Sequence, residues 1–339
     1  MGEGGWSLAI EGMRAVCYNI CMFRPEIKVV DCTLRDGGLI NNHKFDDKLV
    51  HEVIKALNLA GVDYIEVGYR ASKNAFASDK FGKCKFCDEE FLKKAVEGLE
   101  LKSKLATMVD VGRTDVDQIP DKKDSVVSMA RVACYVKDID KAIQLVDQMH
   151  AKGYETTVNI MAISHALQPD LEEGLAQLAN TPIKAAYIVD SFGALYSEQI
   201  HFLVKLYSKY LLPKGIEVGM HAHNNQQLGY ANTIEAIRKG ANFLDGTIYG
   251  IGRAAGNCPI ELLLAFLKNP KFNLEPILEV IEKEFIPLQN KMEWGYNIPY
   301  MIAGILNQHP KASMALRSGP DKDKYVQFYK DSLAQDELA

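Results

Sequence analysis

The sequence predicts a parallel (β/α)8 barrel followed by an added C-terminal helical segment. Three observations carry this expectation. Short runs rich in Val, Ile and Ala alternate with amphipathic stretches of about 12 to 15 residues, the signature of parallel strands covered by helices. Eight such units fit within about 240 residues, which suits a closed barrel better than an open doubly wound sheet, the alternative that the pattern alone admits. Several helical stretches also end in a glycine before the next strand, at Gly61, Gly153 and Gly240, where a left-handed C-terminal cap is expected.

In order, the predicted strands cover 27–34, 62–68, 104–109, 126–133, 155–161, 185–189, 217–220 and 243–247. Helical spacing of apolar residues is clearest over 46–59, 139–152, 171–179, 198–210 and 228–239, and a closing helix is expected over 257–267. The chain thus divides into an N-terminal extension at 1–26, a barrel at 27–268 and a C-terminal helical segment at 269–339. The extension fits no strand or helix unit and reads as a disordered arm, a cloning remnant or a cap over the barrel bottom.

Composition narrows the possible roles. The 339 residues are 47% hydrophobic and 24% charged, ordinary for a globular chain with a sizeable core. A net charge of -5 gives no basic footprint for nucleic acid. No apolar run is long enough for a membrane span, and the N-terminus lacks a secretory pattern, so a cytoplasmic protein without a membrane partner is expected. Seven irregularly spaced cysteines do not make a disulfide framework, and the lone Cys84-x-x-Cys87 pair lacks the second pair of a zinc site.

In such a barrel the chemistry belongs at the C-terminal strand ends. There the sequence places Arg35-Asp36, Glu66, Asp190-Ser191 and His221-Ala222-His223. Two residues apart on an extended chain, His221 and His223 point to the same side and can converge on one point. Asp36, at a rim position before Gly37-Gly38, is the best candidate for a carboxylate completing a three-ligand site. Such a set admits Mn, Mg, Co, Zn or Fe(II). The same residues are also compatible with solvated strand-end histidines, a turn aspartate and a Glu66 buried in a pair with Arg35 or Arg70. Glu66, Asp190 and Ser191 are the candidate substrate-binding residues.

Taken together, "DCTLRDGG", "IEVG", "MVDVG", "IVDSFGAL", "HAHNN" and "GIGRAAGNCPIE" resemble the HMGL-like, or DRE-TIM, metallolyase superfamily of aldolases and Claisen-type lyases. The resemblance runs in order over about 27–268, and "IMAISH" and "IVDSFGAL" are most similar to the 4-hydroxy-2-oxovalerate aldolase branch. It implies Asp36, His221 and His223 as ligands of a divalent metal, Mn2+ or Mg2+ before Co2+ or Zn2+. It also implies Arg35 as the cation that steadies an enolate, and Asn257 as a ligand in the lyase and synthase branches. The implied reaction cleaves or forms a 4-hydroxy-2-oxo acid, giving pyruvate and an aldehyde through a metal-stabilised enolate.

One departure concerns proton transfer. The histidine that follows the Arg-Asp-Gly turn in that branch is replaced here by Gly38, Leu39 and Ile40, with His43 a few residues later. His43, and Tyr296 and Tyr300 of "WGYNIPY", are the candidate acid-base residues; a solvated loop histidine and aromatic packing are their plainer readings. The expected partners are a small 2-oxo acid and an aldehyde, with a homo-oligomer or an acylating aldehyde dehydrogenase as contacts for the C-terminal segment. The competing functions are an acyl-CoA Claisen-type lyase or synthase of the same superfamily, an Fe(II) oxygenase and a non-catalytic barrel.

Overall fold

A computed structural model of the chain describes residues 24–336; the N-terminal extension expected at 1–26 lies almost wholly outside them. Eight parallel strands close into a barrel in sequence order. They are β1 (Lys28–Asp31), β2 (Tyr64–Tyr69), β3 (Lys104–Asp110), β4 (Val127–Cys134), β5 (Glu155–Ile160), β6 (Ala185–Asp190), β7 (Glu217–Ala222) and β8 (Phe243–Gly246). Closure is made by β1 against β8, with Val29 opposite Leu244 and Asp31 opposite Gly246. The expected (β/α)8 barrel is therefore the fold.

Seven helices cover it: α1 (Asp47–Leu59), α2 (Glu89–Ala95), α3 (Ile139–Ala151), α4 (Gln168–Leu178), α5 (Ser197–Leu211), α6 (Gly229–Lys239) and α7 (Ile260–Leu267). Between β3 and β4 the chain makes two single 3-10 turns, Val116–Gln118 and Lys122–Asp124, where an ideal barrel has a helix. Leu49, Val50, Val53, Ile54 and Leu57 of α1 are all buried, the apolar stripe that packs a helix onto a sheet. Its start is fixed by Asp46, whose carboxylate accepts from the Leu49 backbone N–H at 2.7 Å.

Two expected boundaries move, each for a local reason. β1 stops at Asp31 because its carboxylate accepts from the Thr33 backbone N–H at 2.9 Å and the Thr33 hydroxyl at 2.6 Å, turning the chain. The closing helix starts at Ile260 because residues just before it are tied to β7: His223 bridges Asn257, and the Cys258 N–H donates to the Ala222 carbonyl at 3.1 Å.

Inside the barrel the side chains form layers. Val30, Tyr64, Ala106, Met129, Ala185, Tyr187 and Phe243 make an apolar floor. Two residues further along several of these strands, on the same face, stand Glu66, Arg131 and Asp245, all essentially without exposure.

After α7 the chain forms α8 (Glu275–Val280), a π-helical turn at Ile281–Phe285 and α9 (Ile286–Gln289). Ile277, Val280, Ile281 and Phe285 share the main hydrophobic core. The chain then crosses to the C-terminal rim as α10 (Ile298–Ile305), α11 (Lys311–Arg317) and α12 (Tyr325–Asp336). Tyr300 packs on Ala254 and Ala255 of the loop after β8. No helix among the described residues is long and apolar enough to cross a membrane. Cys84 and Cys87 are buried free thiols.

Candidate metal centre

The turn after β1 and the end of β7 bring Asp36, His221 and His223 together. One ligand atom from each lies within 4.8 Å of the others, and all three residues are buried. His221 is still on β7, which runs two residues further than its apolar pattern indicates, and His223 lies one residue beyond. His223 Nε2 is 3.9 Å from Asp36 Oδ1.

The surroundings set the chemistry of each donor. Asp245 accepts from His221 Nδ1 at 2.8 Å. That bond places the hydrogen of a neutral imidazole on Nδ1 and leaves Nε2 as a lone-pair donor. His221 Nε2 is buried with no hydrogen-bond partner. Burial would push the Asp36 carboxyl up, but the charges that can face it, His223 once protonated, Arg35, His221 once protonated and Arg253, hold it well below the usual carboxylate range. Burial also holds the His223 imidazole down to about 3, keeping it neutral. Asn257 Nδ2 donates to Asp36 Oδ2 at 2.7 Å, while its amide oxygen is buried and unpartnered. Two imidazole nitrogens, a carboxylate and an amide oxygen, two of these atoms being orphaned, form a donor set that fits a divalent cation.

Arg35 is held from two sides. Its Nε donates to Glu66 Oε2 at 2.7 Å and its Nη1 to Asp36 Oδ1 at 2.9 Å. Beneath it, Arg131 donates to the same Glu66 oxygen at 2.9 Å and to Asp245 Oδ2 at 2.7 Å, with its guanidinium 4.5 Å from the Tyr187 ring centroid. The chain Arg35, Glu66, Arg131, Asp245, His221 thus connects both flanks of the centre. Gly252 makes the approach possible, since a Cβ there would stand 2.1 Å from Asn257 Nδ2 and 2.9 Å from Asp36 Oδ2.

The centre forms the floor of a rim cavity whose wall includes Arg35, Tyr69, Asn159, Ser191, Arg253 and His309. Several residues singled out in the sequence lie elsewhere. Glu66 is behind Arg35 and pairs with it, while Arg70 pairs with Glu89. Asp190 accepts from the Ala194 and Leu195 N–H groups, closing the loop that carries Ser191. His43 is buried outside the lining, its ring edge-on to Tyr69 at 5.4 Å between centroids. Tyr300 donates to Glu293 at 2.8 Å, and Tyr296 is 57% exposed.

Sequence reasoning missed Asp245, Arg131, Asn159, Arg253 and His309. Arg131 and Asp245 did leave a signal, a lone charge inside an apolar strand. Arg253 was within a quoted motif but carried no expectation.

Comparisons with known proteins agree with this fold. A family profile described as HMGL-like matches residues 26–282. A 4-hydroxy-2-oxovalerate aldolase from Rhodococcus erythropolis is 33% identical over 70% of this chain and 67% of its own length. An oxaloacetate decarboxylase from Mycobacterium tuberculosis is 30% identical over 71% of this chain and 69% of its own. The N-terminal domain of a Bacteroides vulgatus protein assigned as an aldolase superposes with a TM-score of 0.75 at 31% identity, covering 91% of this chain and 99% of that one. The match over most of the barrel and these similarities show that the chain belongs to the HMGL-like family, as a carbon–carbon lyase.

Proposed function

We propose that the protein is a divalent-metal-dependent aldolase that cleaves, or in reverse forms, a 4-hydroxy-2-oxo acid with pyruvate and an aldehyde as the other side of the reaction. The observation that carries this reading is the convergence of Asp36, His221 and His223 beside Arg35 on the floor of a rim cavity. Asp36, His221 and His223 would hold Mn2+ or Mg2+, with Asn257 as a further oxygen donor. Bound there, the metal supplies Lewis-acid polarisation of a 2-oxo carbonyl.

The protein's own groups do the rest. Arg35 lines the cavity in an orientation fixed by Glu66 and Asp36, so its charge is preorganised for the oxygen that turns negative when the C3–C4 bond breaks. Ser191 and Asn159 on the wall offer polar contacts to the substrate. Glu66 and Asp190 act from behind, one aligning Arg35 and the other shaping the Ser191 loop.

A proton must leave the 4-hydroxyl and another must reach C3 of the pyruvate enolate. Tyr69 lines the cavity, and burial pushes its phenol up to about 12, which suits a donor. His43 packs edge-on against that ring, behind the cavity wall, and is held down to about 3 by burial and by Lys85. Tyr296 and Tyr300 have weaker support from their positions.

The test is exchange of the pyruvate methyl protons with deuterated water in the presence of Mn2+ or Mg2+. Exchange is expected, and chelator or Asp36→Asn should stop it; undiminished exchange after both treatments refutes the reading. The Mycobacterium tuberculosis relative favours a second reading with the same enolate but carbon dioxide as the leaving group. Oxaloacetate turnover without aldehyde-dependent condensation would select it.

A further inference from the structure

The cavity carries a cation that the proposed chemistry leaves unused. Arg35 and Arg131 are each bound by two carboxylates. Arg253, in the loop after β8, lines the same cavity, yet no carboxylate among the described residues pairs with its guanidinium. Its Nη2 donates to the Ser191 carbonyl at 2.9 Å, and its Nε is buried with no partner.

Asp36 feels the Arg253 charge without forming an ion pair with it, and the other side-chain contact of Arg253 is His309, brought to the rim by the C-terminal segment, with 3.3 Å between Arg253 Nη1 and His309 Nε2. The Lys311 backbone N–H donates to His309 Nδ1 at 3.1 Å, which puts the hydrogen of a neutral ring on Nε2. Shielding of the ring, then the Arg253 and Lys311 charges, hold His309 down to about 4, so the ring is neutral near pH 7. In the tautomer that keeps the Lys311 bond the two side chains meet donor to donor, whereas the opposite tautomer would accept from Arg253. An anionic oxygen placed between them accepts from both and also relieves the orphaned Nε.

We infer that Arg253 and His309 form a clamp for a second carboxylate on the substrate, so that the enzyme prefers 2-oxo acids bearing an anionic group at the end away from the 2-oxo function. The placement argues for the far end. Asp36, His221 and His223 are 2 to 4% exposed at the floor, whereas Arg253 and His309 stand nearer solvent on a loop and a C-terminal segment. This assignment rests on the aldolase reading only for which end of the substrate meets the floor.

The test compares calorimetric binding of 2-oxoglutarate with that of 2-oxopentanoate, equal in chain length but lacking the distal carboxylate, to the full chain with Mn2+. Wild type should prefer 2-oxoglutarate by roughly 10- to 100-fold, the range of one or two charge-assisted hydrogen bonds. Arg253→Gln should bring that ratio close to one, Arg253→Lys should restore part of it, and His309→Gln should reduce it from a separate element. No preference in wild type overturns the clamp. So does equal weakening of both ligands in Arg253→Gln, which would place the guanidinium on the 2-oxo carboxylate. Absence of pyruvate exchange in wild type would instead remove the aldolase reading, while the binding ratio still decides the clamp.

Discussion

His221 faces two ways, and the division between its nitrogens makes the centre usable. Nδ1 is bound to Asp245 at 2.8 Å while Nε2 has no partner, so the carboxylate fixes both tautomer and ring orientation. Asp245→Asn keeps the size of the side chain but admits the wrong tautomer. Mn2+ affinity measured by titration calorimetry should fall roughly 10- to 100-fold, and an unchanged affinity would separate Asp245 from the centre. Arg35 poses a related case, because its Nε and Nη1 engage Glu66 and Asp36 simultaneously. A lysine carries the charge but not the planar fork. Arg35→Lys should therefore lower kcat for pyruvate-forming cleavage by roughly 10²- to 10³-fold, the usual effect of losing one preorganised donor, with Mn2+ affinity much less affected.

The elements that position these residues differ in how far the sequence reveals them. Strand cores were legible because a buried parallel strand must be continuously apolar, and all eight were located. Strand ends were not, because the chain turns where side chains bond locally: Asp31 capturing Thr33 ends β1 three residues before its apolar pattern does. The His-x-His spacing pointed directly to the two imidazoles that converge with Asp36. The long-range contributions of Asp245, Arg253 and His309 depend on which loops meet at the rim, and no local periodicity encodes that. α10 is placed by a close contact. A Cβ on Gly304 would stand 2.9 Å from Gln226 Cγ, 3.1 Å from Asn225 Cβ and 3.2 Å from the Gly193 carbonyl, so the helix rests against the loops after β6 and β7. Gly304→Val should cost about 1 to 3 kcal/mol in thermal denaturation and, by shifting the segment that carries His309, should weaken the preference for 2-oxoglutarate. A variant with wild-type stability and preference would show that the contact yields freely.

Across the whole molecule, the barrel interior is a column of charge standing on an apolar floor. The carboxylates of Asp36, Glu66 and Asp245 interleave with the guanidiniums of Arg35 and Arg131, and Arg253 adds a further positive charge near Asp36. Asp31 follows the inward-facing Val30 on β1 and so stands on the strand's other face, where burial outweighs its bonds to Thr33 and pushes its carboxyl up to about 7, with Glu66 and Asp245 adding in the same direction. A carboxyl raised in the folded state binds protons there that the unfolded chain has released, so between about pH 4 and pH 7 the folded protein holds more protons and loses stability as pH rises. Asp190, pushed up by burial to about 6, acts in the same sense over a narrower window. The neutral His223 opposes them, since acid protonates the unfolded histidine first. Total stability against pH therefore mixes signs, but a single substitution isolates one contribution. Asp31→Asn retains an acceptor oxygen for Thr33 and removes the titration. Relative to wild type, its Tm should gain as pH is raised from 5 to 8 in metal-free buffer. If the difference between the two Tm values stays constant across that range, Asp31 is not protonated in the folded protein at the acid end.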